Sequence, residues 1–225
     1  MPDNLTFNEA AAIPKAALTA LQTLRDVAQV RKSQKVLVNG ASGGVGHFAI
    51  QFARFYEAEV TAVCRTPHLA WVNGLGAQQV IDNTREDFTQ SGKKYDVILD
   101  AAGTLTVFNC KRSLRETGVF INENPLKPNV QLVPVLLGIL IRDKRIKVSP
   151  LTKPRDKDLD FIRELVEPGK IKPVIGACYP LDQIAAAHRH AENRHAKGKV
   201  VVQIQNGNVY QETSRTHGFT SQTYK

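Results

Sequence analysis

The residues from 39 to 46, Asn39-Gly40-Ala41-Ser42-Gly43-Gly44-Val45-Gly46, hold the strongest chemical signal in the chain. They follow the apolar run Lys35-Val36-Leu37-Val38 and precede a helical pattern from about Val45 to Tyr56. Small residues at a strand-to-helix turn let the backbone bend tightly and approach a pyrophosphate closely, and they let helix pack on strand. The helix N-terminal amides then meet the negative charge. Against the G-x-G-x-x-G template, Ala41 stands in place of the first glycine, with Gly43 and Gly46 in theirs. The chemistry indicated is dinucleotide binding, with Ser42 offering hydroxyl and amide to phosphate. The same residues also satisfy G-x-S-x-G, the nucleophile elbow of hydrolases, which would make Ser42 a nucleophile. Only one strand precedes this turn, and none of His47, His68, His188, His190, His195 and His217 falls in an evident strand-end loop, so the hydrolase is the weaker expectation.

The next strand ends Val60-Thr61-Ala62-Val63-Cys64-Arg65-Thr66, without the carboxylate that would bind a ribose 2′-hydroxyl. Arg65 and the Thr66 hydroxyl instead suit a 2′-phosphate. NADPH is therefore expected ahead of NADH. Asp100-Ala101-Ala102-Gly103 ends a later strand on the same carboxyl edge, where small residues leave room for the nicotinamide end of the cofactor.

The elements that must position these residues alternate. Asn8 to Val30 reads as helix, divided at Pro14. After the strand at Lys35 come a helix, a strand over Glu59–Cys64, a helix around Leu69–Leu75 and a short strand over Gln79–Ile81. A strand over Tyr95–Asp100, a helix through Leu114, a turn at Gly118 and a strand over Val119–Asn122 follow. Beyond them lie an apolar helix over Val133–Ile141, a strand over Ile146–Ser149 and an amphipathic helix from Asp158 to Glu167. A helix from Leu181 to Asn193 and a strand from Lys199 to Ile204 close the pattern, and residues 206–225 read as a disordered tail. The fold class expected is α/β, a Rossmann-type doubly wound parallel sheet with helices on both faces.

Composition is consistent with a packed core: the 225 residues are 42% hydrophobic and 23% charged. The formal charge of +9 points to an anionic partner. Cys64, Cys110 and Cys178 fit neither a disulfide framework nor a zinc ribbon, so a reducing compartment is the default. No secretory signal is read at the N-terminus, and the longest apolar run, Leu132 to Ile141, is shorter than the roughly 20 residues of a membrane helix. The expected location is cytoplasmic, with an organelle or a membrane surface as the alternative.

Several separated motifs resemble the zinc-independent quinone oxidoreductases of the medium-chain dehydrogenase/reductase superfamily. They are Asn8-Glu9-Ala10-Ala11-Ala12-Ile13-Pro14 with Leu18-Thr19-Ala20-Leu21, then Val36 to Gly46, then Leu75-Gly76-Ala77 before Val80-Ile81-Asp82. Tyr95 to Asp100 and His195-Ala196-Lys197-Gly198-Lys199-Val200-Val201-Val202 complete the set, so that the resemblance runs from about Phe7 to Ile204. It implies hydride transfer from NADPH to a quinone or an α,β-unsaturated carbonyl, by a homo-oligomer without zinc. It also implies that Ser42, Gly43, Gly44, Val45 and Gly46 hold the pyrophosphate, that Cys64, Arg65 and Thr66 meet the 2′-phosphate, and that Thr19, Ala102 and Gly103 approach the nicotinamide. Direct hydride transfer needs no protein nucleophile, and no catalytic residue is assigned.

Family members begin with a GroES-like lobe that this chain is expected to lack. The expected divisions are a leading helical segment over 1–32, the Rossmann domain over 33–168, a remnant of the second lobe over 169–205 and the tail over 206–225. The remnant would leave Ile184, Val200 and Val202 partly uncovered, and Asn122-Glu123-Asn124-Pro125 stands where the family often has glycines. An alternative to the enzyme is a truncated module that binds nucleotide or a partner without turnover.

His188, His190 and His195 share one segment but lack a carboxylate or thiolate to complete a metal set, and the interleaved Arg189, Arg194 and Lys197 read as a solvated face. The basic runs Arg142–Lys147, Lys153–Lys157 and His188–Lys199 are interrupted by Asp143, Asp156 and Glu192 and carry no interleaved aromatics. Nucleic acid is not expected as a partner; weak peripheral membrane association stays open.

Overall fold

The computed structural model describes residues 1–123, 145–148, 152–193 and 197–204. The expected helix Val133–Ile141, the end of the strand at Ser149, His195 and the tail 206–225 lie outside the described residues.

The leading segment divides as expected. Helix α1 spans Phe7–Ala12 and α2 spans Pro14–Gln22, with Pro14 in the first helical turn, where its missing N–H costs no hydrogen bond. A π-helical turn over Thr23–Ala28 ends at Gln29, which adopts a left-handed φ of 55°. Then β1 (Lys35–Asn39), α3 (Gly46–Phe55), β2 (Glu59–Cys64), α4 (Leu69–Asn73), β3 (Gln79–Asp82) and β4 (Tyr95–Asp100) alternate. They are followed by α5 (Val107–Lys111), β5 (Leu114–Asn122), β6 (Ile146–Val148) and α6 (Asp156–Val166). The six strands form one parallel sheet in the order β3-β2-β1-β4-β5-β6. Chain order reverses between β1 and β4, which is where open α/β sheets open a crevice for ligands.

The strands are buried on both faces, as the near-continuous apolar runs require. Val36, Val38, Val97, Leu99 and Ile121 join the core under α2, α3 and α6, with Phe48, Phe52, Leu21 and Ile162. The alternate residues Leu37, Ile98 and Phe120 face the opposite core, with Phe88, Tyr95 and Leu114. Each fully buried side chain of this size stabilises by roughly 1.5–3 kcal/mol.

The structure corrects two readings. The expected helix through Leu114 ends at Lys111, and β5 begins at Leu114 because Leu114 pairs with Tyr95 across an irregular register before regular pairing starts at Val97 and Val119. A strand absent from the sequence pattern, β7 (Ile175–Pro180), pairs in parallel with β8 (Lys199–Gln203). Its Gly176 and Pro180 hide it from propensity, and its partner supplies the hydrogen bonds that make it a strand. Between them a short 3₁₀ turn at Leu181–Gln183 leads into α7 (Ile184–Glu192). Helix α1 packs against β7 and β8, while α2 packs against α3 and α6, so the leading segment serves both units. Leu181 and Ile184 are 47% and 45% exposed.

Candidate functional site

At the carboxyl edge where β1 and β4 part, a cleft of about 760 Å³ opens. Its floor is Asn39, Gly40, Ser42, Gly43 and Gly44; Cys64, Arg65, His68 and Asn83 line one end, Ala101, Ala102 and Thr104 the other, and Ala191, Glu192, Gly198, Lys199 and Val200 the remaining wall.

Gly40 makes the tight turn that template matching gave to Ala41. Its φ is +77°, and a Cβ there would sit 2.8 Å from Ala102. At Gly46 a Cβ would fall 2.1 Å from the Gly40 carbonyl oxygen, so only glycine lets the start of α3 pack on the turn. The Gly43 amide donates to the Gly40 carbonyl at 2.9 Å. The Gly43 carbonyl accepts from the His47 amide at 3.2 Å and from its ring Nδ1 at 2.9 Å. His47 is fully buried, and its Nε2 accepts from the Val174 amide at 3.2 Å. Burial pushes the imidazole down to about 4, with the Gly43 hydrogen bond opposing the shift and the Lys199 charge adding to it. With both ring nitrogens committed, His47 is no base for Ser42, which weakens the hydrolase reading further.

Asp100 organises the opposite side. Its Oδ1 accepts from Asn39 Nδ2 at 2.8 Å and from the Gly103 amide at 2.9 Å, and its Oδ2 accepts from the Leu105 amide at 2.8 Å. Burial raises its pKa against these hydrogen bonds. The loop from Ala101 to Leu105 is therefore wrapped around a carboxylate rather than left as a loose turn.

Of the residues expected to bind cofactor, Ser42, Gly43, Gly44, Cys64, Arg65 and Ala102 line the cleft together. Val45, Gly46 and Gly103 shape the adjoining turns. Two lie elsewhere. Thr66 Oγ1 donates to Asp82 Oδ2 at 2.6 Å and pairs with Thr84, and Thr19 Oγ1 bonds the Lys15 carbonyl at 2.8 Å and Thr152 at 2.7 Å. Cys64 is 2% exposed, and its thiol is pushed up to about 11 by burial and by the Asp82 charge, so it contributes shape rather than a thiolate.

Residues that the sequence reading passed over also line the cleft. Lys199 is half-buried, its methylenes lie against Gly44, and burial lowers its pKa. His68 Nδ1 accepts from the Trp71 indole at 3.2 Å, and Lys197 Nζ stands 5.2 Å from the Trp71 ring. No local pattern marks Lys199 as a site residue, because pairing of β7 with β8 and a 2.8 Å hydrogen bond from the Gly198 amide to the Ser42 carbonyl bring it there. Among the described residues, no group of three or more His, Cys, Asp or Glu side chains could hold a metal ion. His190, one of the clustered histidines, pairs its Nδ1 with the Tyr179 hydroxyl at 2.8 Å.

The sequence family described as zinc-binding dehydrogenase matches residues 75–202. The chain belongs to that family. Within it, it falls in the quinone oxidoreductase-like branch of the medium-chain dehydrogenases/reductases. It is 36% identical over 211 residues to a chloroplast envelope quinone oxidoreductase homolog of Arabidopsis thaliana, covering 90% of this chain and 64% of that protein. It is 33% identical over 227 residues to a mitochondrial NAD(P)H oxidoreductase of Homo sapiens, covering 90% of this chain and 57% of that one. The solved quinone oxidoreductase from Coxiella burnetii superposes with a TM-score of 0.80 at 29% identity, over 90% of this chain and 62% of its own. The chain thus spans less than two thirds of the length of these relatives. Among the described residues of this family member, no helix is long and apolar enough to cross a membrane.

Proposed function

We propose that this chain is an NADPH-dependent oxidoreductase of the quinone reductase type, transferring hydride to a quinone or an α,β-unsaturated carbonyl without zinc. The cleft at the β1–β4 switch point supports the reading, because it joins the glycine turn at the N-terminus of α3 to Lys199 on its wall and to Arg65 and His68 at one end. A dinucleotide needs these features: amides and a cation for the pyrophosphate, cationic or donor groups for a 2′-phosphate, and small residues where the nicotinamide lies.

The bound nicotinamide would supply the hydride chemistry, and the protein contributes position and electrostatics. With the Gly43 amide committed to Gly40, the pyrophosphate would meet the amides of Gly44 and Val45, the Ser42 hydroxyl and the Lys199 ammonium. Arg65 and His68 would meet the 2′-phosphate. The Trp71 hydrogen bond to His68 Nδ1 leaves Nε2 as its N–H donor. Ala102 and Gly103, held by Asp100, would flank the nicotinamide half, and Thr19, bonded to Thr152, would act on that end only through the packing of α2. No step is routed through zinc. A homo-oligomeric, cytoplasmic protein is the accompanying expectation, with an organelle as the alternative.

Titration of the purified chain with NADPH and NADH, followed by nicotinamide fluorescence, is expected to show tighter NADPH binding. Equal affinity removes the 2′-phosphate assignment, and no binding overturns the reading. Adding a quinone then separates an enzyme, which consumes the bound NADPH, from a binding module, which leaves it intact.

A further inference from the structure

His47 lies on the first turn of α3, faces away from solvent, and lies outside the lining of the cleft, yet it connects the glycine turn to Val174, 127 residues away in the chain. Four hydrogen bonds run in series through the turn, Val174 and the Gly198–Lys199 segment. Gly43 accepts from His47 Nδ1 at 2.9 Å, His47 Nε2 accepts from the Val174 amide at 3.2 Å, the Val174 carbonyl accepts from the Lys199 amide at 2.8 Å, and the Ser42 carbonyl accepts from the Gly198 amide at 2.8 Å. One helical turn on, Gln51 doubles the link by donating to the Lys172 carbonyl at 3.0 Å and accepting from its amide at 2.8 Å.

The Val174 amide can only donate, so Nε2 carries the lone pair and the proton sits on Nδ1. The Gly43 carbonyl then receives two donors, the His47 amide and the His47 ring, and is held toward the helix rather than toward the cleft. A carbonyl released from that hold would bring a lone pair toward the anion site, where it opposes a pyrophosphate.

We infer that His47 is a positioning residue for the anion-binding turn: through its Nδ1–H tautomer it holds the Gly43 carbonyl out of the cleft while anchoring the approach to β7. This inference rests on the reading of the cleft as a dinucleotide site.

Two variants of the 225-residue chain separate the halves of this role. In His47→Asn the side-chain amide nitrogen lies near the place of Nδ1 and keeps the donor to Gly43. In His47→Gln the longer side chain reaches the place of Nε2, keeps an acceptor for Val174 and leaves Gly43 without its ring donor. NADPH dissociation constants from fluorescence titration are expected to stay within about threefold of the unaltered chain for His47→Asn and to rise about tenfold or more for His47→Gln, a difference on the order of 1.4 kcal/mol. Melting temperatures measured alongside report folding, and the affinity order need not follow them. Equal affinities for the two variants, or weaker binding by His47→Asn, overturn the inference. An unaltered chain that binds no dinucleotide overturns the functional reading and this inference with it. Long-range proton–nitrogen NMR of the unaltered chain gives a second test that needs no variant to fold: protonated Nδ1 with bare Nε2 supports the inference, and the opposite tautomer or an imidazolium at neutral pH overturns it.

Discussion

Asn39 and Asp100 end the neighbouring parallel strands β1 and β4, are paired in register, and share a hydrogen bond of 2.8 Å from Asn39 Nδ2 to Asp100 Oδ1. Both are buried, at 3% and 0% exposure, and Asn39 Nδ2 also reaches Thr104 Oγ1 at 3.0 Å. The crevice between the strands is thereby stapled at its base. Removing the carboxylate in Asp100→Ala strands the Gly103 and Leu105 amides together with the Asn39 side chain, at a cost of about 3 kcal/mol or more. Asp100→Asn keeps one acceptor and is expected to lose less, about 1–2 kcal/mol. Urea unfolding of both variants checks the order, and equal losses would show that the accepted hydrogen bonds do not set the cost.

Gly46→Ala is expected to be among the most damaging single-methyl changes in the chain. The added carbon would fall 2.1 Å from the Gly40 oxygen and 2.8 Å from the Ala41 Cα, both backbone atoms that cannot swing aside. Overpacking of this kind costs typically about 1–3 kcal/mol, and here the strain falls on the glycine turn itself. A lower melting temperature together with loss of NADPH binding is expected; an unchanged melt would mean that α3 slides along the sheet without penalty.

The stability of the chain should depend on His47 between about pH 6.5 and about pH 4. The buried imidazole has a pKa near 4 in the folded chain against an ordinary value of 6.5. In that interval the unfolded chain takes up a proton that the folded chain refuses, so stability is full above the upper value and falls as the pH is lowered toward the lower one. The shift amounts to about 3 kcal/mol. Denaturant unfolding at pH 7 and at pH 4 is expected to show a larger drop for the unaltered chain than for His47→Asn; parallel drops would place the pH dependence on other groups.

Arg65 and Lys199 line the same cleft at different places, and their replacements should have different signatures. Lys199→Met removes the charge near Gly44 and is expected to weaken NADPH and NADH alike, by about tenfold each, since both carry the pyrophosphate. Arg65→Ala is expected to weaken NADPH by a similar factor and leave NADH within about twofold. Fluorescence titration with the two cofactors reads both effects, and a uniform loss for Arg65→Ala would remove it from the 2′-phosphate site.

The alternation of β-branched runs and amphipathic helices determined the doubly wound class, Pro14 and the glycine turn were legible because each answers to a local backbone requirement, and the place of Arg65 in the cleft followed from its position just after β2. Strand β7 was not legible, since Ile175-Gly176-Ala177-Cys178-Tyr179-Pro180 has neither periodicity nor propensity and becomes a strand only against β8. Thr66 read as a phosphate ligand from its place after β2, but the chain brings Asp82 within 2.6 Å and takes up its hydroxyl. The placement of Lys199 and the link from His47 to Val174 were illegible for the same reason. They depend on which distant backbone group lies within about 3 Å, and only the closing of β7–β8 against the start of α3 decides that.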